Sequence, residues 1–359
     1  MLWQEIKKEK TKMKKTTILA LLASTMIASA AGAQTKTTAP VLNFYGNVDA
    51  AVQSYDNGTD SLIRAGDGGL STSRLGFRGN SPDLGGIQFN FNLEGGLKAN
   101  TGTLGSTTNT GQVFAREAWV GASGSAGEIR LGTTDLSGAS EMDTLAFQFG
   151  NFTNFPTNGT AIEIGADASN AIRYISPSFS GLTAQAGYTS NSSTATTDAK
   201  ANITSGSVTY VAGPAKLGVG YAGKKATTSV GEIDAKSIGG SYDFGKFVVG
   251  AAYIYGDNST TSTVKSTANI YSVRVPLDNK GLAAHAVYAQ AKDGAQTTAN
   301  QGTGYTLGLT KTFAPGASVY AAHSRVDNDA NSTMYLSGMT APSAGRDPSL
   351  TTVGINYAF

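Results

Sequence analysis

The chain has 359 residues, of which 14% are charged, 45 are Gly, two are His and none is Cys. Typical globular chains are about a quarter charged and about 7% glycine. Glycine weakens helix interiors, and Ser, Thr and Asn favour turns and strands, so this composition argues against a helix-rich enzyme. The lack of Cys excludes disulfide frameworks, Cys-ligated zinc and thiol chemistry.

The formal charge of +2 is misleading, because its basic excess lies in a leader. Met13-Lys14-Lys15 opens a charged segment, Ile18 to Ile27 is apolar, and Ala31-Gly32-Ala33 suits a small-residue cleavage site. Residues 1–33 therefore read as a secretory signal peptide, with 1–12 as an upstream extension, and residues 34–359 as one domain. Removing six Lys and two Glu leaves 27 − 6 = 21 basic and 25 − 2 = 23 acidic residues, net −2. Nothing in that balance supports a nucleic-acid partner.

The longest apolar run of the remainder, Phe247 to Tyr255, is too short for a membrane helix but matches a tilted membrane strand. Period-two alternation dominates: Ile87, Phe89, Phe91 and Leu93 alternate with Gln88, Asn90, Asn92 and Glu94, and Leu217, Val219 and Tyr221 with Lys216, Gly218 and Gly220. Sixteen strands are predicted, at 41–53, 71–79, 86–98, 112–123, 127–134, 170–177, 182–190, 203–212, 215–224, 234–244, 246–256, 267–276, 281–292, 303–313, 317–327 and 349–359. The gaps alternate in length. Short ones carry turn residues, such as Ser81-Pro82-Asp83 and Ala314-Pro315-Gly316, whereas 54–70, 135–169, 191–202, 257–266 and 328–348 are long.

Short turns on one side and long loops on the other are the pattern of an outer-membrane barrel, not of a soluble sandwich. The expected fold class is an all-β, transmembrane antiparallel barrel of about sixteen strands. Its apolar faces turn to lipid and its inner faces are polar or glycine. Val353, Ile355, Tyr357 and Phe359 form a last strand ending on an interfacial aromatic, and Tyr221, Tyr242, Tyr253, Tyr255 and Tyr288 fit aromatic girdles.

An ordered set of motifs then resembles a known family. Phe44-Tyr45-Gly46-Asn47-Val48-Asp49 is similar to the first strand of the general Gram-negative porins, and Ser73-Arg74-Leu75-Gly76-Phe77-Arg78-Gly79 to their second. Arg116-x-Ala118-Trp119-Val120-Gly121, Asn170-Ala171-Ile172-Arg173-Tyr174 and the closing Tyr357-x-Phe359 follow in order. The resemblance is nearest to porins of beta-proteobacterial type. It implies a homotrimer in the outer membrane whose third outer loop folds into the lumen. It further implies insertion by the barrel-assembly machinery through a C-terminal signal at Tyr357 and Phe359. The expected activity is passive diffusion of small hydrophilic solutes and ions, with a weak anion preference and no cofactor.

The long gap at 135–169 holds Glu141, Asp143, Glu163 and Asp167 as candidate constriction acids, with no Lys or Arg. Arg74, Arg78, Arg116, Arg130 and Arg173 are the facing wall. Alternation turns Arg74, Arg78, Arg130 and Arg173 away from the apolar face, and because a lipid-facing Arg near the midplane costs about 2–4 kcal/mol all five are expected inward. Gln148 stands where the resembling loop carries an acid, which tips the balance toward anions. Two alternatives stay open, a substrate-specific outer-membrane channel and a secreted β-rich adhesin. Catalysis is not expected: His285 and His323 lie on separate strands without a nucleophile motif, no metal-ligand cluster is visible, and His285 reads as a polar lumen residue.

Overall fold

The computed structural model describes residues 39–105, 112–136, 167–189, 202–225, 232–258, 264–293, 300–336 and 339–359. The elements are β1 (Val41–Asp56), β2 (Ser61–Asp67), β3 (Arg74–Asn80), β4 (Ile87–Lys98), β5 (Thr103–Leu104), β6 (Glu117–Gly124), β7 (Gly127–Asp135), β8 (Asp167–Ile175) and β9 (Leu182–Thr189). They continue with β10 (Ile203–Ala212), β11 (Ala215–Lys224), β12 (Ile233–Asp243), β13 (Val248–Asn258), β14 (Val264–Pro276), β15 (Leu282–Asp293), β16 (Asn300–Ala314), β17 (Ala317–Asn328) and β18 (Ser349–Ala358).

Neighbouring wall strands pair antiparallel, and β18 closes on β1 from Asn47 opposite Ala358 to Asp56 opposite Ser349. The wall counts sixteen strands. β2 and β3 follow one another along β1, as two halves of one wall strand, and β5 is a two-residue partner of β4 in a loop. Closure leaves no sheet edge, so every wall strand finds backbone partners without water.

Two sequence boundaries need correction. The stretch 54–70 is not a loop: β1 runs on to Asp56, and β2 returns after a four-residue turn in which the Asn57 side chain accepts the Thr59 and Asp60 amides. Ser61 and Asp67 hid this strand, because they bracket Ile63 and Ala65 on one face while Leu62 and Arg64 share the other, so no clean alternation shows. The strand expected at 112–123 begins at Glu117, so Arg116 lies just outside it.

The outer face is apolar. Leu42, Phe44, Val52, Phe89, Val120, Leu307, Val353 and Ile355 are each more than half exposed, a liability in water and a gain in lipid. Tyr271, Tyr288 and Tyr305 stand directly opposite one another across β14, β15 and β16. At the other end Tyr242 packs tilted on Phe244 and Phe244 stacks on Phe247, with centroids 4.6 and 4.9 Å apart. Tyr305 and the exposed Phe313 lie on β16 eight residues apart. At about 3.4 Å per residue and a tilt of about 40° that is about 21 Å, close to the height of a membrane barrel's apolar band.

The seam between the chain ends is tightly built. The Gly46 and Phe359 backbones exchange both hydrogen bonds at 3.0 Å. A Cβ on Gly46 would lie 2.7 Å from both Leu75 and the Phe359 ring, so only glycine lets these side chains lie across the strand. Phe359 also packs against Phe44 at 5.7 Å, and Phe44 against Phe77 at 5.2 Å.

Above the seam Asp49 is fully buried. Its carboxylate accepts the Gly69, Leu70 and Ser71 amides at 3.1, 3.0 and 2.9 Å and the Tyr320 hydroxyl at 2.5 Å. One side chain thus ties the β2–β3 connection, β1 and β17 together. Buried charge is stable only with such a complete set of donors.

The expectation that inner faces are polar or glycine fails on β13 to β17. There Ala252, Ile254, Ala268, Ile270, Ala289, Ala291 and Val326 face inward and are almost fully buried. They pack with Met334, Leu336 and Met339 from the segment joining β17 to β18. Apolar groups are tolerated inside because this segment shields them from water.

Candidate functional site: the charged inner wall of β3 to β8

Arg74 and Arg78 lie on the face of β3 opposite the outward Phe77, and pair in register with Asn47 and Asn43 of β1. Glu94 of β4 is the hub. Its Oε1 accepts Arg116 Nε at 2.8 Å, its Oε2 lies 3.7 Å from Arg74 Nε, and the Tyr45 hydroxyl sits 2.8 Å from Oε2. Arg116 precedes β6, so strand alternation does not orient it. Its amide bonds the Glu94 carbonyl, and its side chain runs past Gly96 to the Glu94 carboxylate. Arg78 stacks over the Tyr45 ring at 4.7 Å.

Across the next strands, Glu117 stands opposite Glu94 and accepts the Asp135 amide at 3.3 Å. Arg130 bonds Glu128 at 2.6 Å and lies over the Trp119 ring at 4.2 Å. Arg173 is directly opposite Arg130, and its guanidinium donates to Gln185 of β9, Nε at 3.1 Å. Two guanidiniums face to face across a ladder repel one another. They persist because Glu128, Gln185 and the Trp119 ring each hold part of the charge.

The structure therefore brings all five candidate wall arginines onto one inner arc. Opposed to them on that arc are Glu94, Glu117, Glu128 and Asp135, the last lining one pocket with Arg173 and Gln185, a balance of five to four. Lys98 is matched by Asp67 at 3.7 Å. Asp49 lies on β1, outside that arc, buried behind its donors. Arg64 extends the arc toward the loop end, donating to Gln53 at 3.1 Å and lying over the Tyr55 ring at 5.1 Å. Sequence reasoning missed it because β2 was read as loop. Glu94 was visible only as a polar member of an alternating strand, and no local signal marks it as the shared partner of two arginines.

Of the candidate loop acids, Glu141, Asp143 and Glu163 lie outside the described residues, as does Gln148. Asp167 is not in the loop: it opens β8, directly opposite Asp135 of β7. Just after Asp135 the chain turns Leu136 onto Ala168 and Ala171, leaving that side chain 2% exposed. On the far wall His285 pairs in register with Arg274 and Gly308, and its Nε2 is 2.9 Å from Thr310 Oγ1, consistent with a polar lumen residue.

The comparisons with known proteins agree with this geometry. The family model for Gram-negative porins matches residues 17–331. Outer membrane porin protein 32 of Delftia acidovorans is 34% identical over 250 residues, covering 65% of this chain and 67% of the relative. An outer membrane porin protein of Bordetella pertussis is 31% identical over 283 residues, covering 67% of this chain and 69% of the relative. Among solved structures, the anion-selective porin from Comamonas acidovorans superposes with a TM-score of 0.76 at 26% identity, over 89% of this chain and all of that one. The trimer form of OmpT from Vibrio cholerae superposes with a TM-score of 0.67 at 17% identity, over 89% and 100%, and speaks for the fold alone.

Proposed function

This chain belongs to the Gram-negative porin family, a set of channel-forming outer-membrane proteins, and on that premise we propose that it passes small hydrophilic solutes passively with a preference for anions. The observation that carries the preference is the inner arc of β3 to β8, where Arg74, Arg78, Arg116, Arg130 and Arg173 outnumber Glu94, Glu117, Glu128 and Asp135. Fixed charges across a narrow aqueous gap set the local concentration of each ion, and on the described wall the surplus is positive. The net charge of the whole chain matters little, since exposed charges beyond a Debye length of about 8 Å are screened.

The connection from β7 to β8 supplies the opposite side of the gap in this reading. Its first turn supports that placement: Glu117 holds the Asp135 amide, and Leu136 is pressed onto the inner wall. Glu141, Asp143 and Glu163 would then face the arginines and moderate the preference. Residues 1–33 act as the cleaved export signal, Tyr357 and Phe359 as the signal to the barrel-assembly machinery, and three copies assemble in the membrane. The short turns and both chain ends lie on the periplasmic side.

Reversal potential in a planar bilayer under a salt gradient tests this. An anion-directed potential is expected, and a cation-directed one would overturn the charge argument. Saturable uptake at low solute concentration would instead point to a substrate-specific channel.

A further inference from the structure

The connection between β17 and β18 behaves unlike an outer loop. It is pinned at its base by Asn328, the last residue of β17. The Asn328 side-chain nitrogen donates to the carbonyls of Met334 and Arg346 at 2.9 and 2.7 Å. Its Oδ1 accepts the Ser332 hydroxyl at 2.6 Å and the Met334 amide at 3.1 Å. Asp347 closes the other side, accepting the Asn328 backbone amide at 2.9 Å and Arg325 at 3.2 Å. Thus clasped, the segment places Met334, Leu336 and Met339 on the inward faces of β13 to β17, where they are 2%, 1% and 7% exposed.

The wall is cut to receive them. Gly302 faces Met334, and a Cβ there would lie 2.7 Å from the Met334 sulfur. Small inward residues such as Ala268 and Ala289 open a shallow apolar seat between strands that elsewhere face water. Leu70, held inward by Asp49, packs on the edge of the same cluster. None of this is needed to close the barrel, which the strand pairing already does.

We propose that this seated loop is a second constriction of the channel, placed against β13 to β17, which sets the size limit for uncharged solutes independently of the charged arc on β3 to β8. A wall of sixteen strands spaced about 4.8 Å apart and tilted about 40° has a backbone diameter of about 32 Å, or a lumen of about 22 Å once side chains are subtracted. Two chain segments lying against its inner wall take about a quarter of that cross-section. Solutes near the size limit are affected most, because their passage depends on free radius more steeply than ion flow does.

This inference rests on the channel reading, and its test uses solutes that ignore charge. Asn328→Ala removes the clasp and leaves the seat intact, and the pair Met334→Asn with Leu336→Asn, which adds no charge, expels the loop from the seat. Each full-length variant is checked for folding by heat-modifiable migration, then reconstituted for liposome swelling with neutral mono-, di- and trisaccharides and for single-channel conductance. Expected are a conductance about 1.3-fold higher and a larger relative gain for the trisaccharide than for the monosaccharide, at an unchanged ion ratio. Folded variants with unchanged conductance and swelling overturn the proposal. Should the double variant fail to fold, Asn328→Ala decides by the same two measurements. Failure of the anion preference would appear in the reversal potential, not in sugar swelling, so the two readings fail separately.

Discussion

Glu94→Gln is the sharpest perturbation of the charged arc. Glu94 is 8% exposed and serves Arg116 at 2.8 Å and Arg74 at 3.7 Å. Gln keeps the volume and an oxygen able to accept from Tyr45 and Arg116, so the barrel should survive the exchange. The balance on the arc moves from five against four to five against three. A unit charge about 8 Å from a passing ion contributes about 0.5 kcal/mol in water-like surroundings, and screening at 0.1 M salt reduces that to about half. The change acts with opposite sign on anions and cations, so their permeability ratio shifts by about 0.5–1 kcal/mol, or about two- to fivefold toward anions. Reversal potentials of wild type and variant, measured in the same salt gradient, read this directly. An unchanged ratio, or a shift toward cations, would refute the reasoning and leave the arginines as anchors for neighbouring segments.

Arg74→Ala and Arg116→Ala should each shift the same ratio toward cations by a similar factor, read in the same bilayer assay. Deleting Phe359 removes its ring contacts and its paired hydrogen bonds to Gly46, and should lower the yield of folded protein in outer-membrane fractions; a normal yield would count against the seam argument. Tyr320→Phe takes one donor from the buried Asp49 carboxylate and should cost about 1.5–3 kcal/mol of stability, measured as a lower unfolding midpoint in detergent. Asp278, in the turn after β14, is held below the ordinary carboxylate range by the Leu282 amide, and further by Lys311 and the Lys280 amide. Because its pKa is depressed in the folded state, its support of the turn is complete above the ordinary carboxylate pKa and fades as pH falls through the lower one. Amide-exchange protection at Leu282 should therefore drop only in that acid window, and protection lost already near neutral pH would contradict the assignment.

Alternation is a local property, and it was enough to place fifteen of the sixteen wall strands within a few residues, to turn Leu75 and Phe77 outward, and to send Arg74, Arg78, Arg130 and Arg173 inward. Lipid outside and water inside impose that period of two on each strand by itself, so no knowledge of partners is needed. What the sequence could not contain in any short window is who stands beside whom. Glu94 meets Arg116 only because β4 pairs with β6 in one register, and Asp49 receives Tyr320 from 271 positions away because β18 closes on β1. Arg64 joins the wall only through the pairing of β2 with β1, and the inward alanines of β13 to β17 are explained only by Met334, Leu336 and Met339 lying on them. Burial inside a barrel depends on what enters the lumen, which is a property of closure and register, and those belong to the tertiary structure alone.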